Sequence, residues 1–562
     1  MKRLIGMLLA VILVAGCTDI QTAGPVQEVP LGSEPRGLQI IAKPPEPGVT
    51  AVRLVENFVQ AMADPGVDYA VAREYLTEAS AADWDPGEGG SVYRGVVSDE
   101  DGEVFVRGIQ TGILDGEGRF TATDNEMSHD FGVVQEEGEW RIGFPPAGVL
   151  VSDYIFERWW SHVTVYFGSA SGSHVVPDLI HVPDALLTPG RIVEALVAGP
   201  SPAIESSVLN ALGPTVGLAA KSASVDSEGT VLVALTGLDT AMSEDRRRLL
   251  GAQLLLSLTA IPRVTGLQVL NDGRAYPLPD QNVAAALELE SQQRLQLLSR
   301  TATSDLFGVR DGVAVRMDRD GKVLAMNSED AVVSEVAVSI DQTLVGFVNE
   351  TRTAVFVGPL GGALIEVSPG RDNLRAAQFA LGDLWLLGDD AAGVTHLFRI
   401  NGQGKVIEVD ASELAGTLVD FSVTQAGVRV AAVVERAGTR RLVMSSVKES
   451  TRPRLANVAG LSLLVGRTPM SNFQSLDWSG ETELVVVANS TTGVSIHRAR
   501  LDGSVVEDLG PLSEQPEQVS ALPGPSGSAV VIRSADDEVW RHDANRRWTR
   551  LEGVLQDVTY PG

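Results

Sequence analysis

The chain has 562 residues, of which 44 are Lys or Arg and 73 are Asp or Glu, giving a net charge of −29 at pH 7. So acidic a surface repels phosphate backbones and anionic lipid headgroups, which excludes nucleic acid as a partner and leaves membrane contact to some other device. With 44% hydrophobic residues over this length, there is material for about three or four separately cored domains of about 100 to 200 residues each.

The first segment supplies the membrane device. Met1-Lys2-Arg3 is cationic, Leu4 to Val14 is uncharged, and the run closes on Val14-Ala15-Gly16-Cys17. An apolar stretch of about 11 residues suits the core of a secretion signal and is too short for an ordinary membrane-spanning helix. Residues 1–16 are therefore expected to be a signal peptide cleaved between Gly16 and Cys17. Leu13-Val14-Ala15-Gly16-Cys17 resembles the bacterial lipobox, whose cysteine becomes an N-palmitoyl, S-diacylglycerol cysteine. Cys17 is the only cysteine in the sequence, so its thiol has no disulfide partner to compete for it. The expectation is a protein anchored through Cys17 to the outer, extracytoplasmic face of the plasma membrane.

Residues 17–48 hold Pro25, Pro30, Pro35, Pro44, Pro45 and Pro47 with little apolar periodicity, and read as a tether. Residues 49–150 begin with a helical pattern at Val52, Val55, Phe58, Val59 and Met62, stopped by Asp64-Pro65-Gly66. A short helix follows around Tyr69 to Leu76, then strands at 104–113, 120–123, 131–135 and 140–144. This predicts an α+β domain with an antiparallel sheet around a helix. Residues 151–280 give a strand at Val163–Phe167, a helix at Arg191–Ala198 and a strand at Thr230–Leu235. Ser243 then caps a helix with a buried stripe of Leu250, Leu254, Leu258 and Ile261, and a strand over 264–270 enters the Asn271-Asp272-Gly273 turn. That is a second α+β domain. Residues 281–304 read as a helical or mobile connector.

From 305 to 562 the texture changes to a repeated unit of apolar strand, turn, Val-rich strand, turn and a third strand. Units start near Val333, Leu374, Leu418, Phe473 and Val519, about 41 to 55 residues apart. A period of about 40 to 50 in β-rich sequence predicts propeller blades. Leu306 to Met326 and Val554 to Tyr560 should join into a closing blade, for about six blades in all. A stacked β-sandwich array is the alternative.

No catalytic set emerges. The seven histidines, His129, His162, His174, His181, His396, His497 and His542, show no metal-ligand spacing. His174 and His181 flank an apolar stretch and are expected on a loop or the surface. Asp99-Glu100-Asp101-Gly102 and Asp318-Arg319-Asp320-Gly321 read as hairpin turns rather than calcium loops, because the other ligands are missing at the required spacing. Ser445-Ser446-Val447-Lys448 has a serine-lysine spacing but lies in strand-like sequence without companion motifs. Arg246-Arg247-Arg248 at a helix start reads as a solvated helix face, with a partner site as its alternative. No metal and no cofactor is implied.

These features together resemble the actinobacterial lipoprotein family LpqB. The resemblance rests on Val14-Ala15-Gly16-Cys17, on Phe58 with Ala72-Arg73-Glu74-Tyr75-Leu76-Thr77, Trp84 and Pro86, and on Val165-Tyr166-Phe167 before Leu179-Ile180-His181-Val182-Pro183. It also rests on Ile192-Val193-Glu194-Ala195-Leu196-Val197-Ala198-Gly199-Pro200, which is similar to a GerMN helix and its exit. The resemblance implies two small α+β domains, the second GerMN-like, followed by an all-β propeller-like domain. It further implies a non-enzymatic partner of the sensor kinase MtrB outside the membrane, influencing MtrA phosphorylation, envelope homeostasis and cell division. A peptidoglycan-binding or glycan-processing envelope protein is the second expectation.

Overall fold

The computed structural model describes residues 42–562 apart from 283–285, 299–303, 319–320, 327, 329–330, 492, 525–528 and 543–546. The signal, Cys17 and most of the expected tether lie outside the described residues. Among the described residues, no helix is long and apolar enough to cross a membrane.

Thr50 accepts a hydrogen bond from the Arg53 amide and so starts helix α1, Ala51–Ala61, which buries Leu54, Val55, Phe58 and Val59. Phe58 lies 5.9 to 6.2 Å from the rings of Tyr75, Trp84 and Phe131. These aromatics form the centre of the first α+β domain. The second helical segment is shorter than its pattern suggests, α2 covering only Ala70–Arg73, and α3 follows at Glu78–Asp83. The sheet is built from β1 (Gly89–Glu100), β2 (Glu103–Asp115) and β3 (Phe120–Asp130), with a separate hairpin of β4 (Val133–Glu136) and β5 (Glu139–Ile142). β6 (Val149–Ser152) pairs parallel with β1, so the sheet is mixed rather than wholly antiparallel. The patterning of β1 escapes notice because only Val92 and Tyr93 on it are buried. Asp101 and Gly102 have φ of 55° and 90°, and they turn β1 into β2, so Asp99-Glu100-Asp101-Gly102 is a hairpin.

After α4 (Asp153–Trp159), the second domain pairs β7 (Trp160–Ser169) with β8 (Val175–Pro183) and β9 (Val208–Leu209). Its other sheet runs β10 (Gly217–Val225), β11 (Thr230–Thr236), β12 (Gly266–Asn271), β13 (Arg274–Ala275), with β14 (Leu287–Glu288) on β12. Helix α5 (Pro189–Ala198) packs on this core, and α6 (Glu244–Leu258), capped by Ser243, makes the crossover between parallel β11 and β12. The expected stripe on α6 is replaced by burial on all sides from Leu249 to Leu258, and Ile261 lies beyond the helix end. Gln253 and Ser257 stay inside because their side chains are fully used, Gln253 bonding Ala211 and Asn210, and Ser257 bonding Gln253 and Tyr166. Leu287 and Leu295, from the expected connector, are buried in this same core.

Among the described residues, the remainder forms a ring of six four-stranded antiparallel sheets, with a small two-stranded sheet of Leu464–Val465 and Thr468–Pro469 beside it. Blade one holds Leu306–Arg310, Val313–Met317 and Val323–Ala325, and is completed at its inner edge by Asp557–Thr559. Blades two to six occupy 333–367, 372–409, 417–460, 471–508 and 516–554. Each blade has a fourth, outer strand that the three-strand sequence unit lacks; in blades two, three and five that strand is short and mostly unburied, so its pattern is weak. Apolar residues of successive blades interleave in separate clusters, such as Trp385, Leu387, Phe421, Val430 and Val434 between blades three and four.

Val558, at 0% exposure, pairs with Gly308 in the sheet that closes the ring. Val558→Asp should cost at least about 3 kcal/mol, because it sets a carboxylate among the apolar side chains of Leu306, Val315 and Val531. Val313→Asp, at an outward position 44% exposed, should change stability by no more than about 0.5 kcal/mol. Equal losses for the two, measured by chemical unfolding, would refute the closure.

Candidate functional site

Two places concentrate polar side chains inside the protein, namely the propeller channel and the seams where the α+β domains meet the ring. The channel is a cavity of about 320 Å³ lined by the innermost strands of the blades. Along each of those strands a polar residue replaces an apolar one, and the structure shows why. Glu335 of blade two accepts from the Ala377 amide of blade three, and Gln378 of blade three from the Val423 amide of blade four. Asp420 of blade four accepts from Leu476 N of blade five, and Asp477 of blade five from Ala521 N of blade six. Gln518 of blade six donates to Asp557 at 2.9 Å, and Asp557 of blade one accepts from Val336 N of blade two at 2.9 Å. The ring of bonds is therefore complete.

The carboxylates in this circuit are desolvated by the channel walls. Burial pushes the Asp420 and Asp477 carboxyls up to about 6, against hydrogen bonds that pull the other way. It also raises Glu335, with the Asp557 charge adding to it and the Arg352 guanidinium, 2.6 Å away, opposing. Each acid accepts from a neighbouring backbone amide, so the channel network holds the blades together.

At the seam with the second domain, Arg429 and Asp178 are each 3% exposed and lie 3.1 Å apart. Arg429 also donates to the Pro177 carbonyl at 2.6 Å, and Asp178 accepts from the Ser201 amide and hydroxyl. Two histidines expected on loops or the surface are buried here, each 3% exposed. His181 lies within β8 with Nε2 2.7 Å from Asp502, and His174 directs Nε2 to the Ala426 carbonyl at 3.3 Å. Burial, the largest single influence, opposes ionisation of Asp502, but the bond and charge of His181 and the bonds from Ser504 together hold that carboxyl below its usual range. The correction has a plain cause: β8 is buried along its whole length because it faces other domains as well as its own sheet. Gly118 shows how closely the first domain approaches. Its φ is 85°, its carbonyl accepts from His181 N at 2.6 Å, and a Cβ there would fall 2.2 Å from the His181 carbonyl oxygen.

The Arg246-Arg247-Arg248 run is half-buried and bonded within the domain rather than freely solvated. Arg246 donates to the carbonyls of Asn210 and Ala211, Arg247 to that of Pro277, and Arg248 pairs with Glu244, Asp245 and Asp280. Ser445 and Ser446 donate to the carbonyls of Val430 and Ala456 inside blade four, so that spacing is a strand feature. Asp318 caps a turn, accepting from Lys322 N. Among the described residues, no three His, Asp or Glu side chains converge as metal ligands would. Sequence reasoning missed Arg429, Asp178 and Asp502. The available signal was a charge inside an apolar run, as in Val428-Arg429-Val430-Ala431.

Removing one member of the buried seam pair, as in Arg429→Met, should cost about 3 to 5 kcal/mol and admit protease between the second domain and the ring; Asp178→Asn added to it should restore part of the loss. Asp477 binds its proton more tightly folded than unfolded, so its contribution is fully present below about pH 4 and is lost as pH rises through about 6. Stability relative to Asp477→Asn should therefore fall by on the order of 2 kcal/mol between about pH 4 and pH 7, followed by urea unfolding; a flat difference contradicts the shift.

Residues 44–157 match the family described as Lipoprotein LpqB, N-terminal domain, residues 164–277 that described as Sporulation and spore germination, and residues 313–561 that described as Lipoprotein LpqB beta-propeller domain. A Cutibacterium acnes protein named Lipoprotein LpqB is 29% identical over 575 residues, covering 97% of this chain and 97% of its own length. One of the same name from Streptomyces coelicolor is 25% identical over 604 residues, covering 98% of this chain and 96% of its own. Among solved structures, TolB from Acinetobacter baumannii is similar at 14% identity with a TM-score of 0.37, over 48% of this chain and 68% of that one. Three matched segments in this order, with relatives of one name along almost the entire length, fix the assignment: the chain belongs to the LpqB lipoprotein family.

Proposed function

We propose that this protein is a non-enzymatic accessory lipoprotein, acylated at Cys17 and held on the extracytoplasmic face of the plasma membrane, where it binds the extracytoplasmic part of an MtrB-like sensor kinase. Through that contact it influences phosphorylation of the MtrA response regulator, and with it envelope homeostasis and cell division. The observation that carries this reading is family membership along almost the whole chain, together with Val14-Ala15-Gly16-Cys17 at the end of a short apolar run. A diacyl anchor supplies two chains, and at about 0.8 kcal/mol per buried methylene that is stable attachment. Consistent with a binding role, polar groups of the channel and seams hold the blades and domains together. The net charge of −29 keeps the body off anionic headgroups and leaves its outer faces to a protein partner.

Mild-detergent extraction of the native lipoprotein, with identification of copurifying proteins, tests the reading against a Cys17→Ala control. Wild type should incorporate radiolabelled palmitate and recover the kinase, and the variant should do neither from the membrane fraction. Glycan turnover by the purified protein with no kinase recovered would overturn the proposal.

A further inference from the structure

Blade four differs from the rest of the protein in charge. Between Thr417 and Gly460 it carries seven Lys or Arg against three Asp or Glu, in a chain where acids outnumber cations 73 to 44. Its second strand, Arg429–Arg436, turns at Ala437 and Gly438, with φ of 52° and 76°, into its third, Thr439–Lys448. Arg441 stands opposite Val434 in that register, and Arg436 lies two residues beyond Val434, so both arginines leave one face of the hairpin as diagonal neighbours. Both are exposed, and neither side chain has an ion pair or hydrogen bond among the described residues. By contrast Arg440, on the other face, pairs with Glu435 at 2.9 Å, and Arg454 pairs with Glu413 at 2.7 Å. Where carboxylates are in such excess, two neighbouring cations without one mark a place kept clear of them.

The two arginines border a cavity of about 1220 Å³ along this hairpin, bounded also by residues 413–415 ahead of the blade and by residues 122–124 of the first domain. That volume exceeds the about 300–1,000 Å³ of a small-molecule site and suits a stretch of chain. Val443, two residues from Arg441 on the same face, is half-buried against the core between blades three and four, as is Val458 of the outer strand, Arg454–Gly460. Apolar surface therefore lies beside the cations. Guanidinium groups bind carboxylates and phosphates alike, so the rest of the wall selects the occupant. A polyphosphate, charged at every unit, would press that charge against Asp124 and Glu413, which share the lining, and against the valines. A peptide instead alternates carboxylates for the arginines with apolar side chains for the valines.

We infer that this cavity docks an extended acidic segment of a protein partner, with its carboxylates on Arg436 and Arg441 and an apolar side chain against Val443 and Val458. A basic blade on an acidic body also steers such a segment toward this face during encounter. The inference holds whichever protein carries the segment and is independent of the kinase reading.

Fluorescence anisotropy of a labelled octapeptide of alternating Glu and Leu, titrated with the full-length lipoprotein in neutral detergent, tests this. The peptide should bind saturably, more weakly as salt rises, and about tenfold or more tighter than octapeptides of alternating Gln-Leu or Glu-Ser. Arg436→Ala with Arg441→Ala should cost about tenfold or more in affinity, while the melting temperature stays at the wild-type value because neither side chain bonds within the fold. Arg274→Ala with Lys405→Ala removes the same charge at exposed positions elsewhere and should leave binding unchanged. Arg436→Glu with Arg441→Glu should reverse the preference toward an alternating Lys-Leu octapeptide. Absence of saturable binding, equal losses in the two alanine pairs, or tighter binding of polyphosphate than of the Glu-Leu peptide overturns the inference. So does self-association, followed by sedimentation, that Arg436→Ala with Arg441→Ala abolishes, which assigns the face to a second copy of the chain.

Discussion

The architecture depends on a circuit of side-chain hydrogen bonds inside the propeller. From Glu335 through Gln378, Asp420, Asp477 and Gln518 to Asp557, each blade reaches the inner strand of the next, mostly at a backbone amide. An inner strand has a hydrogen-bonded neighbour on one side only, so its free edge carries amides that need acceptors. Carboxylates and amide side chains of the adjacent blade supply them. The cost appears as raised carboxyl pKa values in the channel, which is the electrostatic side of the same geometry.

The same economy governs the α+β domains. Arg429 bonded to Asp178 and Pro177, and His181 bonded to Asp502, fasten β8 to blades four and five, while Gly118 and Arg119 fasten the first domain to the second. Buried pairs of this kind contribute less net stability than geometric selection, because desolvation offsets much of their attraction. What they secure is a fixed orientation among domains whose apolar cores also meet, since Ala426 and Val428 of blade four enter the second domain's core. Residues 42–562 therefore form one compact unit.

Much was legible from local pattern. Five blade starts fall within the inner strands at Val333–Val338, Asp372–Ala380, Thr417–Val423, Ser471–Trp478 and Pro516–Leu522. The Ser243 cap and the closing strand also stand where their patterns place them. The failures share a cause. β1 and the short outer blade strands carry few buried side chains, so they lack an alternating signature. α6 is enclosed all round, which erases a stripe by burying both faces.

By itself the sequence determined the class of each domain and the number of blades, since those rest on period and composition. Only the tertiary structure decided which polar residues meet. Asp178 and Arg429 are 251 positions apart, and His181 and Asp502 are 321 apart, yet each pair lies within hydrogen-bonding distance. A charge in an apolar run announces that it needs a partner, but the partner is chosen by how domains pack, and packing between domains has no period in the chain that could reveal it.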